Sequence, residues 1–110
     1  MNQATVPAYM IVRLNVRNHD DYMARYGTHV TAIFANIGAE VVALSTSPKV
    51  LEGEWEGNWT VVIRFPSMTA AEAWYDSSDY QPLKDLRIAE LTNGGSAVFV
   101  EGFDPAALAL

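Results

Sequence analysis

Two hydrophobic periods alternate along this chain, and their order restricts the fold more than any other feature. Ala8–Val16 has period two, with Met10, Val12, Leu14 and Val16 on one apolar face and Tyr9, Ile11, Arg13 and Asn15 on a mixed one. Tyr22, Tyr26, Val30, Ile33 and Ile37 then recur at helical spacing, with Asn18 or Asp20 able to cap the start and Gly38 the end. Strand character returns at residues 39–45 and at Trp59–Phe65. Between them residues 46–58, with Pro48, Gly53 and Gly57, read as a long hairpin arm. Thr69 opens a second helix with Glu72 at capping-box spacing. Ser77-Ser78-Asp79 interrupts it, and a further helix is expected over residues 80–91. Asn93-Gly94-Gly95 reads as a turn, residues 97–101 as the last strand, and 106–110 as a possible helical turn in a loose tail.

The order strand, helix, strand, strand, helix, strand predicts an α+β domain of ferredoxin-like β-α-β-β-α-β topology. Right-handed crossovers place both helices on one face of a four-stranded antiparallel sheet and leave the other face bare. That face is expected to carry Tyr9, Ile11, Val62 and Phe99, an apolar patch on the order of several hundred Å² that a lone protomer rarely exposes. Pairing with a second copy about a two-fold axis buries it, so a homodimer is expected. With 110 residues there is room for one core, so residues 1–110 read as one domain with a core over 8–103 and flexible tails. Thirteen acids against seven bases give a net charge of −6, which repels phosphate backbones and anionic lipid and speaks against nucleic-acid or membrane partners. The absence of cysteine excludes a disulfide framework, a thiolate metal site and a thiol nucleophile. Residues 1–7 lack the basic start and apolar run of a signal peptide, and no stretch approaches the roughly 20 apolar residues of a membrane span. A cytoplasmic location is the expectation.

Several polar residues stand in apolar company. Arg13 and Arg64 fall on the bare face, where the alternation also puts Glu101. The two arginines either pair with Glu101 and fix the dimer register or clamp a carboxylate ligand. On the helix at 80–91, Tyr80, Leu83, Arg87 and Leu91 share one side, so Arg87 either snorkels past the stripe or reaches a pocket. His29 flanks the first apolar stripe and reads as a general base, an axial haem ligand or a hydrogen-bonded boundary residue. His19 reads as solvated. Glu52, Glu54 and Glu56 alternate around Trp55; they could attract a hard cation, or form a solvated edge that discourages strand pairing. Asn58-Trp59-Thr60 matches a glycosylation acceptor but leads into a strand. There is no phosphate-binding glycine loop, HExxH or nucleophile elbow. With one plausible histidine and no cysteine, no metal, haem or other cofactor is expected.

The tract from Phe65-Pro66-Ser67 through Ala73-Trp74-Tyr75, Ser77, Tyr80 and Leu83 to Arg87 resembles a family of short bacterial proteins called DUF1330. The likeness extends to Ala8–Val16, Tyr22, Tyr26, the run Val50-Leu51-Glu52-Gly53-Glu54-Trp55, and Val100-Glu101-Gly102. A double glycine common in the family is Gly38-Ala39 here. The resemblance implies the ferredoxin-like fold of the dimeric α/β-barrel group, and a family with no agreed activity. Glu52, Trp74, Tyr75, Ser77, Tyr80 and Arg87 fall on its motif positions. Cofactor-free monooxygenases, lactone isomerases and haem proteins share that barrel, so the fold does not choose among activities. A small-molecule site is expected near Tyr26, His29, Trp55, Trp74, Tyr80 and Arg87, with Arg87 orienting an anionic or carbonyl oxygen. If chemistry occurs there, His29 or Glu52 is the acid–base candidate for a cofactor-independent oxygenase- or isomerase-type reaction. The competing expectation is a non-catalytic dimeric binding or stress-associated module. A cavity holding both His29 and Arg87 favours the first and a filled core the second.

Overall fold

The alternating apolar residues of the chain become the inner face of a sheet in the computed structural model, which describes residues 6–108. Residues 1–5 and 109–110 lie outside these, and with them most of the segment read for a leader and the end of the expected tail helix. Strand β1 (Ala8–Val16) buries Ala8, Met10, Val12, Leu14 and Val16, and β3 (Trp59–Phe65) buries Trp59, Val61, Ile63 and Phe65. With β2 (Glu40–Ser45) and β4 (Thr92–Glu101) they form one antiparallel sheet in the order β2-β3-β1-β4, the ferredoxin-like arrangement.

Asn18 caps the first helix as expected, its Oδ1 accepting the Asp21 N–H at 2.9 Å. Helix α1 (His19–Tyr22) passes through a π turn (Met23–Gly27) into α2 (Thr28–Ile37), which Gly38 ends at φ 75°. The wider turn absorbs one residue, so Tyr22, Tyr26, Val30 and Phe34 all face the sheet at intervals of four. Ile33 and Ile37, which a regular helix would place in that stripe, flank it instead. Ser67 rather than Thr69 caps α3 (Met68–Tyr75), its Oγ accepting the Ala70 N–H at 3.1 Å. After the Ser77 turn, α4 (Gln81–Leu86) carries Pro82 in its first turn, where no N–H is missed. A second π segment (Arg87–Leu91) runs directly into β4, and α5 (Pro105–Leu108) lies in the tail.

The last strand departs from the sequence reading in length and in face. It begins at Thr92 and carries Asn93-Gly94-Gly95 within it, with a register slip opposite Leu14 and Val16. Gly95, at φ 154°, lies against the Arg13 carbonyl, where any side chain would collide. Partners across a ladder share a face, and Phe99 lies opposite Met10 and Glu101 opposite Ala8. Phe99 and Glu101 therefore belong to the helix side. Val98 and Val100, opposite Ile11 and Tyr9, are the β4 residues of the bare face. Both parities of this strand are apolar, so alternation left its face open and pairing with β1 decided it. Glu101 is thus on the opposite face from Arg13 and Arg64, and among the described residues of the protomer it pairs with neither. Arg64 instead lies 3.7 Å from Glu40, and the Arg13 guanidinium donates to Ser96 Oγ at 3.3 Å.

The helices cover the two central strands and stop short of both edges. Val41 and Leu44 of β2 and Ala97 of β4 share ladder positions with buried residues yet remain exposed. Among the described residues no helix is long and apolar enough to cross a membrane.

Candidate functional site

Arg87 begins the π segment, where α4 and its continuation turn Tyr80, Arg87 and Leu91 toward the sheet. It is 8% exposed, so the alternative of an arginine snorkelling to water gives way to one reaching inward. Its guanidinium carbon stands 5.9 Å from the centre of the Tyr26 ring. The hydroxyls of Tyr26 and of the fully buried Tyr80 are 2.7 Å apart. From there aromatic rings run in both directions. Tyr26 packs on Tyr22 at 5.0 Å and Tyr22 on Trp59 at 5.1 Å, while Tyr80 packs on Trp74 at 4.2 Å. The indole N–H of Trp74 is buried without a hydrogen-bond partner among the described residues, a deficit of about 1–3 kcal/mol.

Burial sets the electrostatics. It pushes the phenols of Tyr22 and Tyr26 well above the ordinary tyrosine range, with Tyr80 adding to the rise at Tyr26, so both stay protonated at neutral pH. Burial also works against the charge of Arg87, yet the oxygens of Tyr80 and Tyr26 favour it, and the guanidinium ends above its ordinary value. The Tyr26 oxygen belongs to an un-ionised phenol at neutral pH. It solvates the cation but does not neutralise it. Among the described residues no carboxylate comes within ion-pair distance of Arg87, whereas Arg25 bridges Asp21 and Glu90 at 3.2 and 2.7 Å. A cation held inside the fold without a counter-charge is costly, which makes the site receptive to an anion.

Two spaces meet at Arg87. One, of about 50 Å³, lies between the first helical layer and the sheet, under Tyr22, Tyr26, Val30 and Phe34. The other, of about 290 Å³, opens between the π segment and β4 and is lined by Leu14, Tyr75, Ile88, Thr92 and the backbone of residues 94–97. Past Tyr75 and Ala97 it adjoins a wider groove of about 550 Å³ bounded by Met10, Glu72, Asp76 and Phe99.

Of the residues singled out in the sequence, Tyr26, Trp74, Tyr80 and Arg87 come together here. His29 sits on the solvent side of α2 and lines none of these spaces. Glu52 and Trp55 lie in the arm. Trp55 turns back onto the bare face, its indole N–H donating to Thr60 Oγ1 at 2.8 Å beneath the Arg13 guanidinium. The sheet thus separates Trp55 from Arg87. His19 is half-buried against Trp59 at 5.2 Å rather than solvated, and Asn58 spends both ends of its amide on the Val16 backbone. Sequence reasoning missed the wall formed by Gly94 to Ala97. The signal for it was the glycine pair, which permits a strand as well as a turn.

Comparison with known proteins adds family and fold. The family model described as a domain of unknown function (DUF1330) matches residues 7–103. The chain is similar to the crystal structure of RPA0582, a protein of unknown function from Rhodopseudomonas palustris, with TM-score 0.72 and 18% identity over 94% of this chain and 88% of that one. A Bacteroides fragilis protein, described as dimeric, of unknown function and of ferredoxin-like fold, aligns with TM-score 0.56 and 15% identity over 86% of this chain and 95% of its own. No curated protein matches the chain significantly.

Proposed function

The chain belongs to the DUF1330 family, and for this member we propose a homodimer in which each protomer binds a small organic molecule through an anionic or carbonyl oxygen at Arg87. The observation that carries the reading is the buried Arg87, which holds its guanidinium over the Tyr26 ring and lines two adjoining spaces, with no carboxylate within ion-pair distance among the described residues. The inner space of about 50 Å³ holds no more than one or two waters or a small head group, so the body of the ligand lies in the groove along β4. Tyr26 and Tyr80 share one hydrogen bond, which leaves a second phenolic proton free to point at the bound oxygen. With His29 and Glu52 remote from Arg87, the geometry supports binding and orientation ahead of acid–base turnover.

The dimer half of the proposal rests on the bare sheet face, where Tyr9, Ile11, Val62, Val98 and Val100 have no helix over them. The Bacteroides fragilis protein of the same fold, described as dimeric, supports it. Native mass spectrometry of freshly purified protein tests both halves together. A dimer that retains a small acidic molecule, and loses it in the Arg87→Met variant, is the expected result. A bare monomer, or equal ligand content in both proteins, overturns the proposal.

A further inference from the structure

The groove that leads away from Arg87 changes character along its length. At one end stands Arg87, 8% exposed and, among the described residues, with no carboxylate within ion-pair distance. Its middle is Tyr75 and Ala97, which line both the space beside the π segment and the wider groove beyond it. At its outer end Glu72 and Asp76 project from successive turns of α3, and among the described residues neither forms an ion pair. The Lys84 ammonium stands over the Tyr75 ring at 5.2 Å. Two carboxylates one helical turn apart repel each other, and a cation placed between them relieves the repulsion.

We infer that the molecule bound at Arg87 is dipolar, an amino-carboxylate whose carboxylate meets Arg87 and whose ammonium reaches Glu72 and Asp76 across an apolar middle lying on Tyr75 and Ala97. The inference rests on the anion-binding reading above and extends it along the groove. A ligand with a carboxylate alone would lay its far end beside two uncompensated acids, and a dicarboxylate would be repelled there. The two ends therefore rank ligands in the order amino-carboxylate, monocarboxylate, dicarboxylate. Glu72 and Asp76 are exposed, so their pull falls as salt rises.

Two matched series test the ranking by calorimetric titration of the intact protein: ε-aminocaproate, caproate and adipate, and para-aminomethylbenzoate, para-toluate and terephthalate. In at least one series the amino-carboxylate is expected to bind about fivefold more tightly than the monocarboxylate, the size of a partly exposed ion pair. In the Glu72→Gln, Asp76→Asn double variant that advantage disappears while monocarboxylate affinity holds or rises. Because both side chains are exposed, this variant reads the ligand and not the fold. If monocarboxylates bind as tightly as amino-carboxylates in both series, or the advantage survives in the double variant, the dipolar inference fails and the anion site stands. If carboxylates of every kind bind wild-type and Arg87→Met proteins equally, the anion site fails with it.

Discussion

A guanidinium that faces the phenol oxygens of Tyr26 and Tyr80 makes Arg87 a residue whose binding role opposes its structural one. Phenol oxygens alone offset its burial, with no carboxylate within ion-pair distance among the described residues, so replacing it with methionine, of similar length and no charge, is expected to raise stability by about 1–3 kcal/mol. Urea unfolding of the two proteins measures the sign; a destabilised Arg87→Met variant would show that Tyr26 and Tyr80 already satisfy the charge. The tyrosines make a separate prediction. Folding holds the phenols of Tyr22 and Tyr26 above the value they have in the unfolded chain, near 10. Their contribution is therefore complete below about pH 10 and is lost as pH rises beyond it, because only the unfolded state releases those protons. With two such groups, stability is expected to fall by about 2–3 kcal/mol for each pH unit above 10. Tyr22→Phe should remove about half of that slope. The phenolate absorbance that distinguishes wild type from Tyr22→Phe, expected to develop only as the protein unfolds, checks the assignment. At this scale the sequence announced the cluster through Tyr80 and Arg87 on one helical side. It could not show that Arg87 has no carboxylate within ion-pair distance among the described residues, since that depends on where each acid lies in the fold.

The strands illustrate which elements a sequence can declare. In β1 and β3 the buried positions are all apolar and the outward ones mixed, so length and face were both legible. In β4 both parities are apolar and two glycines sit inside the strand, so neither was. The glycines make the point testable. Gly27 has helical backbone angles, and a methyl added there meets only the end of the flexible Met23 side chain. Gly27→Ala is expected to change stability by no more than about 1 kcal/mol, in the favourable direction where Met23 yields. Gly95→Ala combines positive φ with a collision against the β1 backbone, and should cost several times as much. Thermal melts of the two variants give the comparison, and equal melting points would contradict the packing of β4 on β1. The π turn at Met23–Gly27 left only a faint mark in the sequence. A stripe at intervals of four, 22-26-30-34, is its trace, and it was hidden by isoleucines at the positions an ordinary helix would bury.

For the whole molecule the architecture followed from element order, because a split β-α-β pair has few ways to bury two helices and four strands. The candidate site did not follow, because the sheet divides residues that sequence could only group: Trp55 lies on one side of it, Tyr26, Tyr80 and Arg87 on the other. The same division separates two substitutions. Ile11→Asp puts a charge on the bare face and should yield folded monomer, whereas Phe99→Asp puts one against Met10 and Phe65 and should unfold the protomer. A face that buries about 700–900 Å² per protomer reaches the size of a stable association, so sedimentation at micromolar concentration distinguishes the cases. Wild-type monomer there would end the dimer reading. The ring-on-ring path from Trp59 through Tyr22, Tyr26 and Tyr80 to Trp74 has an optical consequence as well. Light absorbed by any of these three phenols lies one or two rings from an indole that can accept the excitation. Tyrosine emission from them is therefore expected to be quenched in the folded state and to appear on denaturation. Trp74 sits beside Tyr80 at the end of the path nearest the groove, and Trp55 lies across the sheet on the face a partner would cover. Two indoles in two environments give the molecule separate intrinsic reporters, one for what enters the groove and one for whether a second copy is in place.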